Sequence, residues 1–169
     1  DTSGLVLIAK HRHIHHLLSL AQQQNAITKE YLALIAGTLS PPRGCVDQPI
    51  GRTGDSIILR EVRAYGQTAK TLYNTNCTFQ IAEQTYSMLR LRLITGRTHQ
   101  IRVQFSSRQL PLLGDIRYGS KDPNCSAALW SYRLAFTHPV TKKAIDVMLP
   151  PPAQYPWSLF HAEELTEKK

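Results

Sequence analysis

The stretch over residues 86–107 constrains the fold more tightly than any other part of the chain. Leu89, Leu91 and Leu93 alternate with Met88, Arg90 and Arg92. A period of two puts the leucines on one face of a β-strand and the arginines on the other, so one face meets a core and the other a partner. Gly96 then breaks the strand, and Thr98 is placed to cap a helix running to about Ser107. Within that helix Ile101 and Phe105 share a core-facing side, and Thr98 and Arg102 share another. The first feature of the fold is therefore a strand that turns directly into a helix packed on the same core.

The rest of the chain supplies the layers around it. The β-branched run over residues 5–9 reads as a buried strand. Ile14, Leu17, Leu18 and Ala21 recur at helical spacing and predict a helix over 12–24, stopped at Asn25. Residues 31–36 are apolar on both faces and end at Gly37, the pattern of a central strand. Pro41-Pro42-Arg43-Gly44 reads as a loop, and residues 57–62, 68–73 and 78–82 as strands separated by Gly, Asn and Asp. Residues 132–137 and 145–149 are the last strands, and Pro150-Pro151-Pro152 ends the sheet. A closing helix is expected over 157–164, before a Lys-rich tail that frays. Strands in consecutive runs with two or three helices predict an α+β fold around a mixed, largely antiparallel sheet.

Composition narrows the class of function. The 169 residues carry 20 Lys and Arg against 12 Asp and Glu, a formal charge of +8 that points to a polyanionic partner, RNA or DNA by default. An apolar content of 42% suits one globular domain rather than a disordered chain. No apolar run approaches a membrane span, and residues 1–4 do not read as a signal peptide. Cys45, Cys77 and Cys125 are odd in number and widely spaced, which argues against a disulfide framework or a zinc knuckle and for a reducing, cytoplasmic setting.

Three groups of residues invite chemistry. Arg97, Thr98, His99 and Gln100 stand at a helix start, where backbone N–H groups favour anions. Arg102 follows on that platform and offers a planar fork for a carboxylate or a phosphate; the competing reading is a capped, basic surface helix. Tyr31 stands among apolar neighbours on the central strand. It is either a core aromatic with a bonded hydroxyl or a platform for a stacked base. His11 and His15 have the spacing of two metal ligands on a helix, but no carboxylate follows, and Lys10 and Arg12 make a basic helix start the better reading. No metal site is expected.

Several segments together resemble the RluA family of pseudouridine synthases. Thr2-Ser3-Gly4-Leu5 with Ile8-Ala9-Lys10 resembles the end of its catalytic motif, Arg-Leu-Asp-x-x-Thr-Ser-Gly. Lys29-Glu30-Tyr31-Leu32-Ala33 with Gly37 is similar to its second motif. Ala69-Lys70-Thr71 with Tyr73 resembles its A-x-T-x-Y stretch. Thr95 to Val103 reads T-G-R-T-H-Q-I-R-V, the third motif without a change. Leu113-Gly114-Asp115 with Tyr118-Gly119, and Leu134 with Phe136-Thr137-His138-Pro139, resemble two further motifs in the family's order.

The resemblance implies a pseudouridine synthase catalytic fold with an RNA-binding cleft over residues 1–169, N-terminally incomplete. It implies isomerisation of uridine to pseudouridine in structured RNA, rRNA or tRNA, without cofactor or metal. Apart from the resemblance, a monomer is expected, because no apolar helix face is left over for a partner. By the same resemblance Tyr31 packs against the target base and Arg102 pairs with the catalytic Asp. Leu129 lines the uracil pocket, and Arg90, Arg92, Arg97, His99 and Gln100 meet the RNA. The family's catalytic Asp stands three residues before the Thr, which places it before Asp1, so the 169 residues alone are expected to be inactive. Asp115 is expected to fix its own loop by hydrogen bonds. Leu129-Trp130-Ser131 departs from the family's Leu-His-Ala. A non-catalytic RNA-binding protein that kept the fold is the alternative.

Overall fold

A computed structural model describes residues 2–54, 56 and 58–160. They form a seven-stranded mixed sheet, a separate two-stranded hairpin and two α-helices, with short 3-10 turns at Ile116–Tyr118 and Trp157–Leu159. In chain order the elements are β1 (Ser3–Gly4), α1 (Arg12–Gln23), β2 (Ile27–Ala36), β3 (Arg43–Asp47), β4 (Ile50–Arg52), β5 (Arg60–Val62), β6 (Lys70–Ile81), β7 (Gln84–Leu93), α2 (Gln100–Ser107), β8 (Leu129–Thr137) and β9 (Ala144–Met148). The large sheet runs β1-β8-β2-β7-β6-β3, with β9 also on β8; β4 and β5 form the hairpin. Only β1 with β8 is a parallel pair among the described strands. The predicted α+β class with a largely antiparallel sheet is the observed one.

Strand β2 lies between β7 and β8 and is the axis of the molecule. Its odd residues all face the two helices. At one end Ile27 meets Leu18 of α1 and Leu134 of β8. At the other, Ala33 and Ile35 join Leu89 and Leu91 of β7 under Ile101 and Phe105 of α2. The even residues face the other way, where Leu34 and Met88 pack with Phe160. Met88 is therefore core rather than partner-facing: the basic face of β7 is covered at one end.

Four local expectations change. Residues 5–9 are extended, with Leu5, Leu7 and Ala9 packed inward and Val6 and Ile8 exposed, yet the ladder stops after Leu5 bonds Ser131. The edge of β8 from Arg133 onward is already occupied by β9, so no partner remains for the run. The expected loop at 41–44 leads straight into β3, which pairs with β6. The strands predicted over 68–73 and 78–82 are one strand, β6, because Asn76 is absorbed as an extra residue between Thr75 and Cys77 instead of ending the ladder. Helix α2 starts at Gln100 after a left-handed His99, and no Thr98 side chain caps it. The Gln100 side chain reaches back instead and accepts the Arg97 N–H at 3.0 Å. Beyond the 3-10 turn at Trp157–Leu159, residues 161–164 of the predicted closing helix and the tail lie outside the described residues, as does Ile57.

Candidate active site

Tyr31 stands at the seam between the two helices. It packs against the α2 cluster on one side and lines an open cavity of about 430 Å³ on the other, together with Thr2, Ser3, Lys29, His15 of α1 and Ser131. Two features of the backbone shape this cavity. The register of β2 against β8 shifts between Glu30 and Tyr31, which leaves Tyr132 as an extra residue and sets Ser131 opposite Tyr31. The short β1 then adds Ser3 and Gly4 alongside Trp130 and Ser131. Gly4 has φ of +104°, and any Cβ there would overlap the Ser131 backbone. Glycine alone lets the chain approach β8 this closely. Burial raises the Tyr31 phenol above its ordinary range, so it is neutral at pH 7. A neutral, half-buried ring beside an open cavity presents a flat apolar surface, which suits a planar ligand.

A second cluster lies where α2 meets the loop after it. Arg102 donates from Nε to Asp115 Oδ2 at 2.6 Å and from Nη2 to Oδ1 at 2.7 Å, a two-point pair with Arg102 3% and Asp115 1% exposed. The Tyr118 ring covers the guanidinium, with its centroid 4.9 Å from Cζ. The Tyr118 hydroxyl bonds His99 Nδ1 at 2.8 Å and accepts the Arg60 N–H at 3.3 Å, and the Tyr118 carbonyl accepts from Ser106. His99 is pushed below the usual imidazole range by burial first, then by the positive charges of Arg102 and Arg117. Burial raises the Tyr118 phenol. Asp115 was expected to hold its loop by hydrogen bonds. Its carbonyl does so, accepting from Tyr118 and Ser120, but its carboxylate is spent on Arg102.

The structure draws together only part of the predicted set. Leu129 is buried in the cluster that Tyr31 packs against, opposite Ala33. Ile101, the neighbour of Arg102, belongs to the same cluster. Arg90 and Arg92 stand on the opposite face of the sheet from Tyr31. Arg90 donates to Glu30 Oε2 at 2.8 Å, and Arg133 holds the other Glu30 oxygen at 3.3 Å, while Arg92 is exposed. Arg97 is exposed at the start of the α2 segment and donates to the Thr68 carbonyl. Gln100 is 2% exposed, and its amide donates to the Lys70 carbonyl and the Thr71 hydroxyl, so it serves the interior. Sequence reasoning missed Lys29, Ser131 and Tyr118. The signal for Lys29 was present: Ile27, Lys29, Tyr31, Ala33 and Ile35 share a face, and Lys29 is the one charge in that row.

Comparison with known proteins gives the family. The sequence pattern of the family described as RNA pseudouridylate synthase matches residues 1–107. The chain is 42% identical over 153 residues to the uncharacterized RNA pseudouridine synthase YjbO of Bacillus subtilis, which covers 90% of this chain and 53% of that protein. It is 37% identical over a 169-residue alignment to the ribosomal large subunit pseudouridine synthase D of Vibrio cholerae, covering 90% and 50%. The chain thus spans about half the length of the curated relatives it matches. Among solved structures, human RNA pseudouridylate synthase domain containing 1 aligns with a TM-score of 0.73 at 23% identity, over 86% of this chain and 63% of that one. Human RNA pseudouridylate synthase domain containing 4 aligns with the same TM-score at 20% identity, over 94% and 70%, and both likenesses show the fold. No helix among the described residues is long and apolar enough to cross a membrane. With its motifs matched in order, the chain belongs to the RNA pseudouridylate synthase family, and to the RluA type within it.

Proposed function

We propose that the protein carrying this chain is a cytoplasmic RNA pseudouridine synthase that isomerises a uridine of structured rRNA or tRNA, and that residues 1–169 belong to its catalytic domain. The single observation that carries the reading is that Thr2 and Ser3, the end of the family's catalytic motif, line the same cavity as Tyr31. In that family an Asp carboxylate acts at the ribose, and the uracil is released, turned and rejoined through carbon 5. The motif that ends at Gly4 would bring that carboxylate to this rim.

A uridine inside a helix must leave the stack to reach such a cavity. The Tyr31 ring then packs against the extruded base, with Leu129 behind it in the same apolar cluster. Because burial keeps the phenol protonated at neutral pH, Tyr31 can take the proton from carbon 5 only after passing on its own. Arg102 holds the catalytic carboxylate ionised, and Asp115 and Tyr118 fix the plane of its guanidinium. Arg97 and His99 lie toward the RNA.

The test is release of tritium from rRNA and tRNA labelled at carbon 5 of uridine, using the intact protein. Release with retention of the nucleoside in the chain is expected. Tight RNA binding with no release from either RNA would favour a non-catalytic RNA-binding protein on the same fold.

A further inference from the structure

The groove that holds Tyr31 continues past it. A second open cavity of about 520 Å³ lies on the far side of Lys29, lined by Gln23, Asn25, Thr95, Gly96 and Arg97 among others. The two cavities share Ser19, Gln22, Ile27 and Lys29, so Lys29 stands at their junction. Its side chain is half-buried, and its Nζ donates to Gln22 Oε1 of α1 at 2.8 Å. Among the described residues no carboxylate pairs with it. Glu30, the next residue, faces the other side of the sheet and is held by Arg90 and Arg133. A half-buried ammonium that meets only a neutral amide, at the edge of an open cavity, is available to an incoming anion. Burial also lowers its pKa, as expected for an ammonium without a counter-charge.

We propose that Lys29 is an anchor for one backbone phosphate of the RNA strand whose uridine sits against Tyr31, with Gln22 holding the amine in place. Lys29 and Tyr31 share a face two residues apart, about 7 Å along the strand, the scale of a single nucleotide. Gln23, Asn25 and Thr95 in the second cavity offer uncharged hydrogen-bonding groups beyond the anchor, and Arg97 offers a second positive charge. A polyanionic strand matches a groove with cations spaced along it, in a chain of net charge +8.

The inference rests on RNA being the partner, and its test is separate from the test of isomerisation. Binding of a fluorescein-labelled single-stranded RNA with one central uridine is followed by anisotropy across a salt series. Lys29→Met is expected to weaken binding several-fold at low salt and to reduce the slope of log K against log salt by about 0.7, one single-strand phosphate contact. Lys29→Arg should keep the wild-type slope. Replacing the linkage beside the uridine with an uncharged methylphosphonate should reproduce the loss in the wild type and add nothing in Lys29→Met. The proposal is overturned if folded Lys29→Met, checked by circular dichroism, keeps the full slope, or if the two changes add in full. It also fails if the wild type does not bind the oligomer, or if inorganic phosphate alone fills the site while Lys29 contributes nothing to the slope. A Lys29-dependent slope without tritium release from any RNA would retain the anchor and remove the isomerase reading.

Discussion

The two ends of one sheet face are built on opposite principles. Under α2 the buried polar side chains are held by internal partners: Arg102 has both oxygens of Asp115 and the ring of Tyr118, and Gln104, fully buried, donates to the Ala69 carbonyl and accepts from the Thr71 hydroxyl. Under α1 the surface is open, and Lys29 finds only the amide of Gln22. The closed end holds a geometry, and the open end is the one proposed to receive the RNA. Tyr31 sits between them, packed against the closed cluster and lining the cavity. The difference teaches how a cation's surroundings should be read. A charge paired two ways inside a core is fixed in one geometry, and a charge left with a neutral partner beside a cavity is available to an incoming anion.

The contrast is broken most severely at the closed end. Arg102→Lys removes the planar two-point contact. Turnover in the tritium-release assay should fall by about 10²–10³-fold, in line with loss of one preorganised electrostatic group, while RNA affinity changes little. Asp115→Asn leaves the guanidinium buried without its counter-charge and should cost about 3–5 kcal/mol in urea unfolding. Near-normal turnover in the first variant, or near-normal stability in the second, would dissolve the distinction between the ends.

A smaller effect is expected at the rim of the open end. Gly4→Ala forces a Cβ into the Ser131 backbone at a φ that other residues rarely adopt, a strain of about 1–3 kcal/mol. The two-residue β1 is the part able to give way. The result should be a marked loss of turnover with a thermal midpoint lowered by only a few degrees. Equal losses in both would make β1 part of the frame instead of part of the site.

The finest test concerns pH. The His99 pKa lies below its ordinary value in the folded protein, so the unfolded chain takes up the proton first as pH falls. Its contribution to stability is complete above about pH 6.5 and is lost as pH drops through the lower folded value. His99→Gln should flatten the dependence of the thermal midpoint on pH between 7 and 5. An unchanged acid slope would show that the Tyr118 cluster does not exclude the proton.

Much of this was legible in the residues. The alternation of Leu89, Leu91 and Leu93 with Arg90 and Arg92 assigned the faces of β7 correctly, and the spacing of Ile14, Leu17, Leu18 and Ala21 located α1. The apolar run after Tyr31 marked the central strand, and the motif order carried the family. These signals are local, because periodicity is written into consecutive residues. The length of β6 and the pairing of β3 were not legible. Asn76 reads as a turn residue in isolation, and only the continuous ladder with β7 makes it a bulge.

The fate of the polar groups follows the same division. The sequence by itself determined which residues carry charge, which face of an element each occupies, and that Lys29 lies in an otherwise uncharged row with Tyr31. Tertiary structure alone decided where those charges are spent. Arg90 meets Glu30 across 60 positions, Arg133 meets it across 103, and Arg102 reaches Asp115 only because a loop folds back under α2. No local pattern encodes such partners, since they depend on strand order and on which edge of β8 is already taken. Burial then gives each pairing its consequence, because a charge removed from water needs an internal partner, whereas one at an open cavity can still meet an incoming anion.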